Sequence, residues 1–315
     1  MPDLTVLALD LGGSHAACAL VHAGSIVAQR NLRADGACGL RSLLPALGDS
    51  LDELLQSTHT AKSSCAAAVM GFCGVVSARE KRVLATNGKF DDATGLDLKT
   101  WFEHRLEIPF FLENDTRLAL LGEHRFGAAR DFRDAAMVTL GSGIGGAALL
   151  DGRLLESKHG LAGTIGGHLP VVMNGRICSC GNRGCAEAEA STSTLGEIYR
   201  EQAGGVGGLL DGRKTFGFAD IFEAIEAGDQ AAAATLEHCL RVWSVLTVSL
   251  IHAYDPEVVV FGGSVMKRSA DILPCLQKYV NAHAWTSGRS VPLRAALLGS
   301  DATLLGALAL VESAL

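Results

Sequence analysis

The chain has 315 residues, 48% of them hydrophobic and 19% charged, with a net charge of −7. That length suits two domains with a core each, and the acidic balance argues against a nucleic-acid partner held through phosphate contacts. There is no run of 18 apolar residues, and the opening Met1-Pro2-Asp3 segment lacks a basic region before its apolar run is broken at Asp10, so neither a membrane helix nor a secretion signal is read and a cytoplasmic protein is expected.

Leu4–Asp10 is an apolar run closed by an acid and predicts a buried strand. Gly12-Gly13-Ser14 follows as a turn, and His15–Val21 and Ile26–Leu32 complete a β-meander. No helix follows these glycines directly, which separates the pattern from a dinucleotide-binding start. Leucines at 40, 43, 44, 47, 51, 54 and 55 give Leu40–Leu55 one apolar helical face. Ala66–Gly71 and Phe110–Leu112 read as short buried strands, the second leading into a helix over Asp115–Phe126. The opening pattern then recurs as strand Ala135–Leu140, glycine turn Gly141–Gly146, strand Ala147–Leu150 and turn Asp151-Gly152. Two such units suggest a duplicated two-lobe fold with a cleft between the lobes; two unrelated hairpins of a β-rich protein are the competing reading. Ala203–Gly212, with five glycines, reads as a mobile loop and Gln230–Leu250 as a long helix. Val258–Phe261 reads as a strand ahead of Gly262-Gly263-Ser264, and Ala302–Leu315 as an apolar terminal helix.

Three glycine-rich strand ends, at Gly12-Gly13-Ser14, Gly141-Ser142-Gly143 and Gly262-Gly263, invite a nucleotide, because backbone N–H groups reach phosphate oxygens where no Cβ intervenes. Asp10, at the end of the first strand, suits Mg²⁺ held through water. An ordinary hairpin with a strand-end acid is the competing reading. Glu113-Asn114-Asp115 lies at the carboxyl end of a strand, where α/β proteins bind ligands. Asp115 there can orient and deprotonate a hydroxyl while Asn114 bonds a neighbouring one; equally, Asn and Asp are common helix N-caps.

The sharpest local signal is His168 followed by Cys178, Cys180 and Cys185. Nine cysteines is an odd number, and three within eight residues favour reduced thiols on a metal over disulfides. One histidine and three cysteines match a closed, tetrahedral structural zinc site, with Gly181 and Gly184 letting the chain turn tightly enough. Three buried free thiols beside an unrelated histidine is the alternative.

With these motifs together, the chain resembles the ROK family of bacterial sugar kinases and repressors over nearly its whole length. The resemblance is carried by Asp10-Leu-Gly-Gly-Ser14, Glu113-Asn-Asp-Thr-Arg-Leu-Ala-Leu-Leu-Gly-Glu123 and Leu140-Gly-Ser-Gly-Ile-Gly-Gly146. His168 with CSCGNRGCAEAEAS (178–191) and Asp255-Pro-Glu-Val-Val-Val-Phe-Gly-Gly263 add to it. It implies an α/β, actin-like (ribonuclease-H-like) two-lobe ATPase fold with a central cleft. The smaller lobe is expected from 1–117 plus about 298–315, and the larger, with the zinc site, from 118–297. It further implies ATP, Mg²⁺ and structural Zn²⁺, phosphoryl transfer to a hexose hydroxyl at carbon six, and a homodimer. Carried over by position, Asp115 is the general base, and Asn87, Asn114, Asp115, His168 and Glu187 contact the sugar. Asp10, Gly12, Gly13, Ser14, Gly141, Ser142, Gly143, Gly262 and Gly263 hold the nucleotide and its metal, and His168, Cys178, Cys180 and Cys185 hold the zinc.

Three departures mark this chain. The family pattern Ala-Gly-Glu-x-Gly-His reads Ala162-Gly163-Thr164-Ile165-Gly166-Gly167-His168, with Thr for the sugar-binding Glu and one extra residue before the histidine. Asn87-Gly88-Lys89-Phe90 replaces Asn-Leu-Pro-Gly-Trp, and Ser14-His15 stands where Thr-Lys is usual. A non-catalytic sugar sensor is the competing function. The family's repressors carry an N-terminal helix-turn-helix, whereas this chain begins at the phosphate-loop strand, so DNA binding is not expected.

Overall fold

The computed structural model describes residues 4–205 and 207–314. The Met1-Pro2-Asp3 opening, Val206 of the glycine loop and Leu315 of the terminal helix lie outside the described residues. The chain opens with the meander β1 (Thr5–Leu11), β2 (His15–His22) and β3 (Ser25–Arg33), then helix α1 (Leu40–Ser57). Strands β4 (Ala67–Phe72), β5 (Val75–Ser77) and β6 (Arg82–Ala85) follow, then α2 (Leu98–Leu106), β7 (Phe110–Asn114) and α3 (Asp115–Phe126). The second half begins with β8 (Ala135–Leu140), β9 (Ile144–Leu150) and β10 (Arg153–Leu154). Helices α4 (Ala186–Ala190), α5 (Leu195–Ala203), α6 (Phe218–Glu226) and α7 (Gln230–Tyr254) lead to β11 (Val258–Gly262). Helix α8 (Ser269–His283), β12 (Leu293–Ala295) and α9 (Ala302–Ala314) close the chain.

Two five-stranded sheets result, in the orders β3-β2-β1-β4-β7 and β10-β9-β8-β11-β12. In the first, β2 is antiparallel to β1 and to β3, whereas β4 is parallel to β1 and to β7. In the second, β11 is parallel to β8 and to β12. Each sheet thus places the first strand of its meander centrally, with hairpin partners on one side and parallel strands on the other. The recurrence seen in the sequence is a recurrence of topology. The parallel strands read as unbroken apolar runs because both faces are covered: every residue of β4 and of β11 is buried. Edge strand β3 instead alternates between exposed and half-buried positions.

By contacts, one compact unit comprises the residues up to Phe132, Ala147–Thr164 and everything from Leu297, and the other Arg133–Gly146 and Ile165–Ala296. One boundary between these compact units falls after α3. The reason is packing. Helix α9 is apolar almost all round and buried along most of its length, and α3 lies backbone to backbone against it. A Cβ on Gly306 would sit 1.8 Å from the Leu118 carbonyl oxygen, so only glycine permits this approach. The fully buried Glu123 accepts hydrogen bonds from the N–H groups of Ala128, Leu297 and Leu298, which ties the end of α3 to the returning chain.

In the second unit α7 runs to Tyr254, past the expected end at Leu250, and starts where Asp229 accepts from Ala231 and Ala232 N–H. Trp243 on α7 is fully buried and its indole N–H donates to the Ala190 carbonyl. In the glycine loop, Gly204 ends α5 in the left-handed region, Leu209 N–H donates to Asp229 and Leu210 N–H to the Tyr199 hydroxyl. Its buried Leu210 anchors that segment.

Candidate active site and metal centre

Two carboxylates stand at the carboxyl ends of the first unit's parallel strands. The register Asp10–Gly71–Glu113 and Leu11–Phe72–Asn114 across β1, β4 and β7 brings Asp10 and the first residue of α3, Asp115, to the same sheet end. Gly71 between them carries no side chain, and the Asp115 Cα lies 3.5 Å from where a Gly71 Cβ would be. Both acids are half-buried. Burial pushes Asp10 up to about 7, helped by the negative charge of Asp115. Burial likewise pushes Asp115 up to about 6, against the opposing pull of the Thr116 N–H and hydroxyl, of Lys89 and of Asn114. A carboxylate tuned to this range is poised to take a proton near neutral pH.

The N-cap of α3 is Asn114, whose Oδ1 accepts from Arg117 N–H at 3.1 Å while Nδ2 donates to the Gly74 carbonyl at 3.1 Å. The cap reading thus belongs to Asn114, and Asp115 follows as a helical residue whose Oδ1 accepts from Thr116 N–H. Beneath them lies a buried ion pair that sequence reading missed. Glu113 Oε1 accepts from Arg117 Nε at 2.9 Å and from Asn114 N–H at 2.8 Å. Arg117 also donates to the carbonyls of Leu155 and Ala162. Both side chains are about 5% exposed, so Arg117→Ala strands a buried carboxylate. Its expected cost is about 3–5 kcal/mol of unfolding free energy, read by urea denaturation. The only trace of this pair in the sequence is the four-residue spacing of opposite charges.

The first glycine loop closes with Gly12 N–H donating to the His15 carbonyl, and Ser14 and His15 are exposed. Asn87 is exposed in the turn after β6. Two residues on, Lys89 leaves that turn and its side chain lies across Gly13. Thr164 is buried, and its hydroxyl donates to the Gly160 carbonyl of its own loop at 3.4 Å.

The second unit holds the other set. His168, Cys178, Cys180 and Cys185 bring one nitrogen and three sulfurs within 4.8 Å of one another. Cys178 Sγ is 3.4 Å from His168 Nδ1, and Cys180 Sγ is 3.7 Å from Cys185 Sγ. A tetrahedral ion with bonds of about 2.0–2.3 Å separates its ligands by roughly 3.3–3.8 Å, so these side chains fit zinc. Burial, then the neighbouring sulfurs, push the Cys185 thiol far up, a crowding that a divalent cation relieves. The tight turn depends on Gly184, at φ +68, where a Cβ would sit 1.7 Å from the Val172 carbonyl oxygen. His168 ends a short 3-10 turn over Gly166–His168. At Gly167 a Cβ would meet the Ile144 carbonyl oxygen at 1.8 Å.

Cys185 caps α4, which carries Glu187. Glu187 Oε2 accepts from Ile144 N–H at 2.9 Å and lies against Gly143, so the expected sugar ligand sits on the second glycine loop. That loop is shaped by Gly141 N–H donating to the Gly143 carbonyl across Ser142, and by Thr192 N–H donating to the Gly141 carbonyl. Gly262 and Gly263 adjoin it, since a Cβ on Gly263 would meet the Leu140 carbonyl oxygen at 2.2 Å. The second and third glycine clusters are therefore neighbours within one unit, whereas Gly12, Gly13 and Ser14 belong to the other.

The ROK family model matches residues 6–314. A glucokinase from Halalkalibacterium halodurans is 28% identical over 318 residues, spanning 97% of this chain and 94% of its own. An N-acetylmannosamine kinase from Haemophilus influenzae is 27% identical over 303 residues, with 96% and 93% covered. The crystal structure of a ROK family glucokinase from Streptomyces griseus, in complex with glucose and AMPPNP, has a TM-score of 0.81 at 26% identity, covering 98% of this chain and 99% of its own.

Proposed function

The chain belongs to the ROK family, and on that premise we propose that it transfers the γ-phosphoryl group of ATP to a hexose or hexosamine at the hydroxyl on carbon six, with Asp115 as the base. It has the actin-like sugar-kinase fold and is an ATP-using sugar kinase. The observation that carries the finer reading is the pair of raised carboxyls, Asp10 and Asp115, at the ends of β1 and β7. Phosphoryl transfer needs an acceptor for the hydroxyl proton and a means of neutralising phosphate charge, and little covalent help.

Asp115 orients the sugar hydroxyl and takes its proton. Asn114 caps α3 and so fixes where the Asp115 carboxylate stands; it, Asn87, His168 and Glu187 are the further sugar contacts. Gly12, Gly13, Ser14, Gly141, Ser142, Gly143, Gly262 and Gly263 offer backbone N–H groups and a hydroxyl to the nucleotide. Asp10 would hold Mg²⁺, which when bound supplies positive charge to the phosphates. His168, Cys178, Cys180 and Cys185 would hold a structural zinc that fixes the start of α4, and with it Glu187.

A coupled ADP-release assay with Mg-ATP tests the reading against glucose, mannose, allose and their N-acetylated amines. Thr164, with its hydroxyl turned into its own loop, supplies no carboxylate to a sugar, which is why the panel extends beyond glucose. Release that depends on one of these sugars, with the product phosphorylated at carbon six, is expected. A folded protein that binds a sugar yet releases no ADP with any of them would instead establish a sugar sensor.

A further inference from the structure

The first glycine loop, Gly12 to His15, contains no lysine or arginine, yet a lysine reaches it from another part of the chain. The side chain of Lys89 runs over two glycines in succession. A Cβ on Gly36 would sit 2.9 Å from Lys89 Cβ, and a Cβ on Gly13 would sit 2.4 Å from Cδ, 2.7 Å from Cε and 2.9 Å from Nζ. The root of the side chain is held as firmly as its path. Gly36 N–H donates to the Gly13 carbonyl, and Phe90 N–H donates to the Gly36 carbonyl, which laces the three segments together. Phe90 adopts a left-handed conformation, is fully buried, and packs beside Phe72 with ring centroids 6.3 Å apart. Two absent side chains make the track, and a buried aromatic anchors it.

We propose that Lys89 is a further catalytic residue: its ammonium, carried over Gly13, meets the phosphoryl group in transit to the sugar. The proposal rests on the sugar-kinase reading above. As the sugar oxygen bonds to phosphorus, the bond from phosphorus to the bridging oxygen breaks and its electron pair leaves with ADP. The hydroxyl proton passes to Asp115, and Lys89 stays protonated throughout. A fixed cation is most effective where negative charge spreads over the transferring oxygens. The field of Lys89 also reaches Asp115 and Cys73, lowering both against the burial that raises them.

Lys89→Met tests this, because methionine keeps an unbranched stem on the glycine track and removes the ammonium; Lys89→Gln is the second variant should methionine disturb folding. Three readouts apply: steady-state kinetics, calorimetric binding of ATP and of AMP without sugar, and the pH profile. Turnover is expected to fall roughly 100- to 1,000-fold with the sugar KM little changed. ATP binding is expected to weaken while AMP binding stays constant, and the acid limb of the profile to move to higher pH as Asp115 loses a neighbouring cation. Near-parental turnover and ATP affinity would overturn the proposal. So would equal loss of ATP and AMP binding, since Lys89 would then be a strap for the loop. Should the parent protein phosphorylate no sugar, the kinase reading fails by itself, and the ATP-against-AMP comparison still decides whether Lys89 meets phosphate.

Discussion

Asp115→Asn is expected to lower turnover roughly 1,000-fold while leaving the protein folded. General-base catalysis is worth about 10²- to 10⁴-fold, and asparagine preserves the acceptor for Thr116 N–H while losing the site that takes the proton. Stability is expected to respond in the opposite direction. The Asp115 carboxyl is raised to about 6 in the folded chain, above its unfolded value. The native state therefore binds the proton more tightly, and stability is lost as pH rises from about 4 through 6. At pH 8 the parent bears the cost of a buried charge that the variant lacks, so Asp115→Asn should unfold at an equal or higher temperature. The same titration sets the acid limb of the parent's kcat/KM. Activity should fall as pH drops through about 6, because the protonated acid cannot accept the hydroxyl proton. A variant with most of the parental turnover would remove Asp115 as base, and a lower melting temperature at pH 8 would show that its charge is matched by a partner in the fold.

The second large effect is expected from the metal centre. Cys180→Ser should abolish zinc binding, measured as metal per chain by atomic emission, and the parent should hold one zinc. Cys180 is exposed and Cys185 is fully buried, so the Cys180 substitution opens the coordination shell with little change to the packing around Cys185 and Ala188. A metal present at 1,000 times its dissociation constant stabilises the folded state by about 4 kcal/mol. For a chain of this size, its loss should lower the melting temperature by roughly 6 °C. Through Cys185, the cap of α4, the loss should also loosen Glu187 on Ile144 N–H. The sugar KM is therefore expected to rise more than the KM for ATP. A parent protein that contains no zinc would end this account, and an unchanged melting temperature after complete chelation would show that the Cys–His loop folds without its ion.

How much of this was legible in the sequence follows from how local each signal is. The meanders, α1, α3, α7 and α9 were readable because hydrophobic periodicity and glycine punctuation act over a few residues. Helices α2, α4, α5, α6 and α8 were not read from the sequence. The cysteine cluster was readable because three of its four ligands lie within eight residues, and Gly181 and Gly184 sit at turn positions.

What the sequence determined by itself is the kinds of chemistry available: acids at strand ends, glycines at strand-to-loop junctions, thiols beside a histidine, and the family these compose. What only the tertiary structure decided is which of them meet. The division after α3 rests on Gly306 against Leu118, far apart along the chain. The place of Glu187 on the second glycine loop and the run of Lys89 over Gly36 and Gly13 are likewise contacts between segments. Spacing along a chain fixes neighbours within a turn or a hairpin. Distant partners are chosen when strands pair and helices pack, and burial, which raises Asp10 and Asp115 toward neutrality, exists only once they have.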